Sequence, residues 1–267
     1  MTEKLIQGLQ RFQSGYYQKN KATFEALADS QAPRVLFITC SDSRVDPNLI
    51  TQSGVGEIFV IRNAGNIMPP FGAANGGEGA ALEYALGALD IREIVVCGHT
   101  NCGAMKGLFK MDKLQTKMPL VYDWLLHTEA TRRVLKENYS SCSTEDQLDI
   151  AVAENVLTQL ENLRTYPIVR SKLHRHELVL HGWIYDIEGG KVLAYDVNRH
   201  EFVPPSQVTP APESAYNLHA ACKRPEPAPI PSISPTPQPT PGVASNLPGR
   251  ARLSSAQADR IFRGSHR

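Results

Sequence analysis

Two short runs of this chain contain residue types that bind a soft or borderline metal ion. They are Cys40-Ser41-Asp42-Ser43-Arg44 and His99-Thr100-Asn101-Cys102-Gly103. Two thiolates and one imidazole are ligands of the kind that Zn²⁺ prefers, and they leave a fourth tetrahedral position for water or a carboxylate. Structural zinc sites are usually closed by four Cys or His ligands, and no such set is complete in these runs. The residue types therefore predict a catalytic zinc site formed by Cys40, His99 and Cys102.

Two charged residues follow the first cysteine closely. Asp42 can reach either the metal or a water molecule on it, and Arg44 can hold the Asp42 carboxylate in a bidentate pair. If Arg44 keeps Asp42 off the metal, the fourth position is open. If Asp42 binds the metal, the site is closed. The residues alone allow both states.

Three short apolar runs, at residues 34–39, 57–61 and 93–97, predict the buried strands that would position these residues. Helical patterns lie between them, most clearly at residues 78–89. Strands alternating with helices predict an α/β fold with a mostly parallel central sheet and flanking helices. Both metal-binding runs would then lie just past the carboxyl ends of strands, where open sheets of this class place their sites.

Patterns outside this core predict three further regions. They are N-terminal helices over residues 3–28, a helical region over residues 119–173, and a hairpin at the sheet edge formed by residues 178–185 and 192–197. Within the helical region, Thr144 and Gln147 have the spacing of a capping box, with Thr144 as the N-cap.

The composition changes sharply near residue 204. Thirteen of the 19 prolines fall between residues 204 and 248, in a stretch that is expected to be extended and solvated. No proline follows, and Ser254 and Gln257 again have capping-box spacing. These shifts predict a catalytic domain at residues 1–203, a proline-rich flexible linker at 204–248 and a short C-terminal docking helix at 249–267.

The overall composition excludes several classes of partner. A formal net charge of +1 gives no reason to expect a nucleic-acid partner. No apolar run approaches the length of about 18 residues that crosses a bilayer, and the first residues lack the apolar segment of a signal peptide. Five cysteines without an export signal are expected to be reduced thiols. We therefore expect a cytoplasmic protein with no membrane partner.

Several motifs match one family when they are taken together. They are Gln31-Ala32-Pro33, Cys40-Ser41-Asp42-Ser43-Arg44, Phe59-Val60-Ile61-Arg62-Asn63-Ala64-Gly65-Asn66, Glu83-Tyr84 and Cys97-Gly98-His99-Thr100-Asn101-Cys102-Gly103. Over residues 3–200 the chain resembles the β-class carbonic anhydrases. The runs at residues 69–80, 119–125 and 153–159 resemble the cyanobacterial carboxysomal members of that class.

The resemblance implies one zinc ion per subunit, bound by Cys40, His99 and Cys102, and the reversible hydration of CO₂ to bicarbonate. Asp42, oriented by Arg44, would accept a hydrogen bond from the attacking hydroxide. In the carboxysome the useful direction would be dehydration, which supplies CO₂ for carboxylation in the CO₂-concentrating mechanism of photosynthesis.

The resemblance also implies a substrate pocket that two subunits share. Gln31 would hydrogen-bond a substrate oxygen, Phe59 and Tyr84 would line an apolar CO₂ pocket, and the Gly103 N–H would lie near the anion. In the family the first three of these residues come from a partner subunit. The implied unit is a homodimer that assembles further into a tetramer or hexamer. The position of Gln31 corresponds to a branch of the family whose fourth metal position stays open.

Two interpretations of the C-terminal region remain. One is a solubilising appendage, as many proline-rich termini are. The other is a tether that docks on a carboxysome scaffold protein whose own domain resembles a γ-class carbonic anhydrase. The residues that would carry the docking are Leu253, Arg260, Ile261, Phe262 and Arg263.

Two rival functions remain to be weighed. One is a hydrolase of COS or CS₂ on the same fold. The other is a catalytically silent zinc-bearing protein that interacts with a scaffold. Among other residues, Cys97 is expected to be a small buried hydrophobe. Arg62 could form a salt bridge or contact an anion. His181 is expected to lie within a strand, which is favoured over a role in proton transfer.

Overall fold

The computed structural model describes residues 2–74 and 76–209, and these hold a six-stranded sheet flanked by helices. The strands are β1 (Val35–Cys40), β2 (Ile58–Asn63), β3 (Glu93–His99), β4 (Val179–Asp186), β5 (Lys191–Asp196) and β6 (Glu201–Val203). Their order in the sheet is β2-β1-β3-β4-β5-β6. The predicted C-terminal helix, and the predicted linker from residue 210 onward, lie outside the described residues.

The first four strands in this order, β2 to β4, are parallel, and β5 and β6 are added in antiparallel pairs. β1 pairs in parallel with both β2 and β3, and β3 pairs in parallel with β4. β4, β5 and β6 then form antiparallel pairs. This arrangement confirms the predicted α/β class with a mostly parallel central sheet.

The helices occupy the connections and the N-terminal segment. In chain order they are α1 (Thr2–Arg11), α2 (Tyr17–Lys19), α3 (Lys21–Ala26), α4 (Pro47–Thr51), α5 (Gly77–Gly87), α6 (Gly103–Leu108), α7 (Met111–Lys117), α8 (Pro119–Leu125), α9 (Glu129–Asn138), α10 (Thr144–Arg164) and α11 (Pro167–His174). A π-helical turn at Phe12–Tyr16 joins α1 to α2, and 3₁₀ turns lie at Leu126–Thr128 and Pro205–Gln207.

Local sequence explains where several helices begin. Proline is the first residue of α4, α8 and α11, where its missing N–H costs no helical hydrogen bond. The side chain of Asp46 accepts the N–H of Leu49 at the start of α4. At α10 the N-cap is Ser143, whose hydroxyl accepts the N–H of Asp146, so the predicted cap at Thr144 is wrong by one residue. Two adjacent hydroxyl residues offered the same cap chemistry, and only the backbone geometry distinguishes them.

The main core lies between one face of the sheet and the helices α5 and α10. Leu36 and Ile38 of β1, with Ile94 and Val96 of β3, belong to this core, and none of the four is measurably exposed. The alternate residues of the same strands form a small cluster on the opposite face: Phe37, Val95 and Cys97. Both faces of these strands are therefore buried, which is why their sequences read as continuous apolar runs.

Glycine lets α10 lie close to the sheet. A Cβ atom added at Gly98 of β3 would lie 2.9 Å from Val156 Cγ2 and 3.1 Å from Val152 Cγ1. One added at Gly182 of β4 would lie 3.0 Å from Val156 Cγ1 and 3.1 Å from Leu160 Cδ1. A side chain at Gly98 or Gly182 would push α10 away from the sheet, and β3 of this sheet ends at His99.

The N-terminal helices leave an apolar face exposed. Leu5 is 67 % exposed, Leu9 is 62 % exposed and Ile6 is 50 % exposed. Within this segment, the rings of Phe12 and Tyr17 pack against Phe24, with centroid distances of 5.8 and 5.2 Å. Such a face on an amphipathic helix indicates contact with another molecule.

The hairpin that the sequence predicts is present as β4 and β5. β6, which the sequence did not predict, pairs with β5 and forms the outer strand. None of the helices in the described ranges is both long and apolar enough to span a bilayer.

Candidate metal centre

Three predicted ligands meet at the carboxyl edge of the sheet. Cys40 is the last residue of β1 and His99 is the last residue of β3, so both lie at strand ends and not just past them. Because β1 and β3 are parallel neighbours, their carboxyl ends lie side by side. Cys102 is the N-cap of α6, in an extended conformation. The ligand atoms of the three residues lie within 4.8 Å of one another.

Asn101 makes the short turn between the second and third ligands possible. Its φ of 58° is left-handed, a conformation that Asn adopts more easily than most residues. Thr100 ties this turn to β4, since its N–H donates to Tyr185 O and its hydroxyl accepts the N–H of Ile187.

The environment of His99 fits a metal ligand. The side chain is fully buried, and its Nδ1 lies 2.9 Å from the carbonyl oxygen of Thr100. Nδ1 therefore carries the proton and donates it, which leaves the lone pair on Nε2. Among the described residues Nε2 has no hydrogen-bond partner. A buried, unpaired imidazole nitrogen beside two cysteine sulfurs is the donor set that zinc requires.

The two neighbouring cysteines shift each other's pKa in opposite directions. The pKa of Cys40 is lowered, chiefly because the Cys102 thiol donates a hydrogen bond to its sulfur. His99 and the N–H groups of Gly65 and Asp42 lower it further. The pKa of Cys102 is raised by that same contact with Cys40 and by burial. Cys40 is therefore prepared as a thiolate, the form that binds a metal.

Asp42 lies beside the ligands and is held by Arg44. The guanidinium donates from Nε to Oδ1 at 2.9 Å and from Nη2 to Oδ2 at 2.8 Å, and the Arg44 backbone N–H adds a third bond to Oδ1. These bonds hold the pKa of the Asp42 carboxyl well below its usual range. Oδ2 lies 3.9 Å from His99 Nε2. The carboxylate is thus ionised and next to the ligand cluster, with both oxygens bonded to Arg44.

Arg62 supports the same loop from β2. It donates to the backbone carbonyl oxygens of Cys40 at 3.1 Å and Asp42 at 2.8 Å. Its position in the sequence allowed a salt bridge or an anion contact, and the structure shows backbone contacts instead. A carbonyl acceptor leaves no signature in sequence, so this role could not be read from the residue types.

The predicted pocket residues divide into two groups. Gly103 begins α6 directly after Cys102, and a Cβ atom added there would meet nothing within 4 Å. Phe59 and Tyr84 lie together, with ring centroids 6.2 Å apart. Phe59 pairs with Leu36, four residues before the end of β1, so it lies about 13 Å along the strand from the ligand edge. Within one chain, Phe59 is not brought to the metal ligands.

Gln31 is exposed in the segment before β1. Cys97 and His181 both lie in the sheet, and the contacts of each indicate a structural role. Cys97 is fully buried, and burial raises its pKa to about 12. His181 pairs with Val95, four residues before the His99–Tyr185 pair, and lies 3.2 Å from a Glu93 carboxylate oxygen. The tail residues Leu253, Arg260, Ile261, Phe262 and Arg263 lie outside the described residues.

A parallel α/β sheet with a Cys-His-Cys donor set and an Asp–Arg pair at its carboxyl edge defines a class of metal-dependent enzyme. Comparison with known proteins identifies the family. The family model of carbonic anhydrases matches residues 35–192. A carbonic anhydrase of Synechocystis sp. is 56 % identical, and the alignment covers 98 % of this chain and 99 % of the relative. One of Synechococcus elongatus is 52 % identical, with 98 % of each chain covered.

More distant relatives and solved structures agree. A carbonic anhydrase of Pseudomonas aeruginosa is 47 % identical over 74 % of this chain and 90 % of the relative. The structure of the β-carbonic anhydrase CcaA has a TM-score of 0.76 and 65 % identity, covering 76 % of this chain and 92 % of that chain. A tetrameric β-carbonic anhydrase of Sordaria macrospora has a TM-score of 0.65 at 27 % identity, covering 72 % and 95 % of the two chains. The chain belongs to the β-class carbonic anhydrases, with relatives of matching length in cyanobacteria.

Proposed function

We propose that this carbonic anhydrase binds one zinc ion per subunit through Cys40, His99 and Cys102 and uses it to interconvert CO₂ and bicarbonate. The observation that carries this proposal is the buried cluster itself, in which His99 Nε2 has no partner among the described residues. Zinc bound there would supply Lewis acidity, which lowers the pKa of water toward neutrality.

The protein groups around the cluster would orient the reaction. The ionised Asp42 carboxylate accepts a hydrogen bond from the reacting hydroxyl group and so directs its lone pair toward the CO₂ carbon. Arg44 holds that carboxylate in place with two parallel hydrogen bonds. Because both Asp42 oxygens are bonded to Arg44, we assign this arrangement to the state with an open fourth position. A Cβ atom added at Gly103 would meet nothing within 4 Å, so a substrate can approach this residue, and its N–H would donate to a bicarbonate oxygen.

A second copy of the chain would complete the substrate pocket. Phe59 and Tyr84 are adjacent but lie away from the ligands of their own chain, and Tyr84 is 45 % exposed. We propose that these two rings and Gln31 reach the metal edge of a partner subunit. The rings would hold CO₂ in an apolar space, and the Gln31 amide would hydrogen-bond a substrate oxygen. The tetrameric solved relative supports further assembly of such dimers.

Zinc content and CO₂ hydration in the Asp42→Asn variant test the catalytic proposal. The purified wild-type chain should contain about one zinc per subunit by mass spectrometry and should hydrate CO₂ in a stopped-flow assay. Asp42→Asn should keep its zinc and lose about a hundredfold or more in kcat, because the amide cannot accept the same hydrogen bond in that orientation. Asp112→Asn, an exposed carboxylate on α7, is the matched control.

Three results would contradict the proposal. A wild-type chain without zinc would exclude the metal assignment. Hydration that is unchanged in Asp42→Asn would exclude the role of that carboxylate. A chain that turns over COS but not CO₂, or neither gas, would exclude the proposed substrate.

We further propose that the enzyme works inside the carboxysome, where it supplies CO₂ from bicarbonate, and that residues 249–267 dock on a scaffold protein. Supporting this, the alignments to the two cyanobacterial relatives cover 98 % of the chain and so include most of the C-terminal region. The alignment to the Pseudomonas relative covers 74 %.

Deletion of residues 249–267 tests the docking proposal. The truncated enzyme should hydrate CO₂ at the wild-type rate but should no longer co-purify with a scaffold that carries a γ-carbonic-anhydrase-like domain. A matched control replaces the linker segment 225–241 with a glycine-serine stretch of equal length and should keep the interaction. Unchanged recruitment of the truncated chain would rule out docking through this segment.

A further inference from the structure

Residues 64–71, between β2 and α5, form a segment without regular secondary structure, and its middle part, residues 65–69, is nevertheless buried. Asn66 is 1 % exposed, and Ile67 and Met68 are fully buried. Buried backbone groups outside helices and sheets need other partners. In this segment most of the partners are side chains. Three of them belong to α10, and others are Tyr166 after that helix, Asn63, Cys40 and Trp124.

One row of α10 contacts the segment along its length. Asn155, Gln159, Asn162 and Tyr166 follow at spacings of four, three and four residues, which places them on one face of the helix and its C-terminal extension. Their bonds to the segment are Asn155 Nδ2 to Gly65 O at 2.9 Å, Met68 N to Gln159 Oε1 at 2.8 Å, Asn162 Nδ2 to Met68 O at 2.9 Å and Tyr166 Oη to Pro69 O at 2.8 Å.

The first two members of this row also bond to each other. Gln159 Nε2 donates to Asn155 Oδ1 at 2.9 Å, and both side chains are at most 1 % exposed. The Met68 N–H determines which amide atom donates and which accepts in these bonds. Met68 N–H can only donate, so Gln159 presents its oxygen to Met68 and its nitrogen to Asn155. Asn155 must then accept through Oδ1 and present Nδ2 to the Gly65 carbonyl.

This chain of hydrogen bonds ends at a metal ligand. The N–H of Gly65, whose carbonyl Asn155 holds, donates to Cys40 Sγ at 3.4 Å. Gly65 has a φ of 86°, and a Cβ atom there would lie 2.9 Å from Ala104 Cβ, so the residue is confined between the segment and α6. The carbonyl in the same peptide as that N–H, Ala64 O, accepts Trp124 Nε1 of α8 at 2.8 Å. Asn155 of α10 holds the next peptide, so the backbone is anchored on both sides of the Gly65 Cα by helices other than those that carry the candidate ligands.

We propose that Asn155 and Gln159 are positioning residues of the zinc site. They hold the backbone at Gly65 so that its N–H points at the Cys40 sulfur, and this fixes the direction of that ligand. Partners of metal ligands typically change metal affinity by about 10- to 100-fold when they are lost. The inference rests on the proposed zinc function, and its test separates the two.

Zinc loss in the presence of excess chelator measures this role without relying on activity. Asn155→Leu and Gln159→Met remove the amides with similar side-chain size. Thr158→Val is the control, because Thr158 is on the same helix and its hydroxyl bonds to Thr131, at 2.9 Å, rather than to residues 64–71. Both test variants should lose zinc about tenfold faster than Thr158→Val, after correction for thermal stability measured on each protein.

Replacing zinc with cobalt gives a second measurement, the absorption spectrum of the bound cobalt. A general loss of stability would not change this spectrum. The thiolate-to-cobalt charge-transfer band should shift in Asn155→Leu and should be unchanged in Thr158→Val. If the test variants lose zinc no faster than the control and their cobalt spectra match the wild type, the positioning role is excluded. If the wild-type chain itself holds no zinc, the proposed function fails first and for a different reason.

Discussion

At the scale of single residues, Arg44 joins the two loops that carry the candidate ligands. Its guanidinium forms a bidentate pair with Asp42, and Nη2 also lies 3.4 Å from the Asn101 carbonyl oxygen between the other two ligands. A planar fork can make these contacts together, whereas a lysine ammonium acts as a single point charge. A lysine at this position would keep the positive charge but would not make the same set of hydrogen bonds.

Arg44→Lys should raise the pKa of the Asp42 carboxyl. That pKa is lowered chiefly by the side-chain hydrogen bonds from Arg44, so the carboxylate stays ionised well into acid. With the fork removed, the pKa should rise by about one unit or more, toward the ordinary carboxyl value. NMR titration of the Asp42 carboxyl carbon from pH 2 to 6 measures the change.

The lowered pKa of Asp42 also makes the stability of the fold depend on pH. A lowered carboxyl pKa stabilises the fold above the ordinary carboxyl pKa of about 4, and this contribution is lost as the pH falls below it. Arg92→Lys is the matched control, because Arg92 forms a similar pair with Asp90 away from the ligands. An Asp42 pKa that is the same in both variants would show that Arg44 does not set the ionisation of Asp42.

At the scale of elements, the contact between α10 and the sheet determines where His99 lies. Gly98→Ala should destabilise the protein by about 1–3 kcal/mol, because the added Cβ overlaps two valines of α10. Since Gly98 precedes His99, the variant should also bind zinc more weakly. Urea unfolding and metal content measure the two effects.

Gly79→Ala is the matched control for that substitution. It lies within α5, and its added Cβ would lie 3.5 Å from the Tyr166 ring, an ordinary contact. This variant should be neutral or more stable by about 0.5–1 kcal/mol, since alanine favours a helix over glycine. Equal stability of the two variants would contradict the close packing of α10 on β3.

The elements that could be predicted are those with a clear pattern of apolar residues along the sequence. β1, β2 and β3 follow from continuous apolar runs, since both of their faces are buried. β6 was missed because the three residues Glu201–Val203 are too few to show a period. The ligand set was predictable since Cys and His have few other roles in such a pattern. The contacts of Arg62 and of the α10 amides were not, because their acceptors and donors are backbone groups that every residue has.

At the scale of the whole molecule, we expect the exposed face of α1 to contact a second copy of the chain. Leu5, Ile6 and Leu9 form an apolar stripe on a helix whose other residues are polar. A second copy of the chain, which the proposed substrate pocket also requires, would cover this stripe.

The double variant Leu5→Ser, Leu9→Ser should weaken assembly. We expect a shift toward smaller species in analytical ultracentrifugation and a loss of hydration activity at low protein concentration, with zinc still bound. Gln7→Ser with Gln10→Ser changes two exposed polar positions on the same helix and should do neither. A double variant that remains assembled and active would show that this stripe is not the interface.

The placement of ligands on two neighbouring strands has a further consequence for how the chain reaches its native pairing. Cys40 and His99 come from β1 and β3, and β2 lies between them in the sequence but not in the sheet. A slip of one residue between β1 and β3 would turn the Cys40 side chain to the other face of the sheet. Only a chain with the native alignment of strands can present all three donors to one ion. Metal binding would therefore stabilise only those chains whose strands have the native alignment.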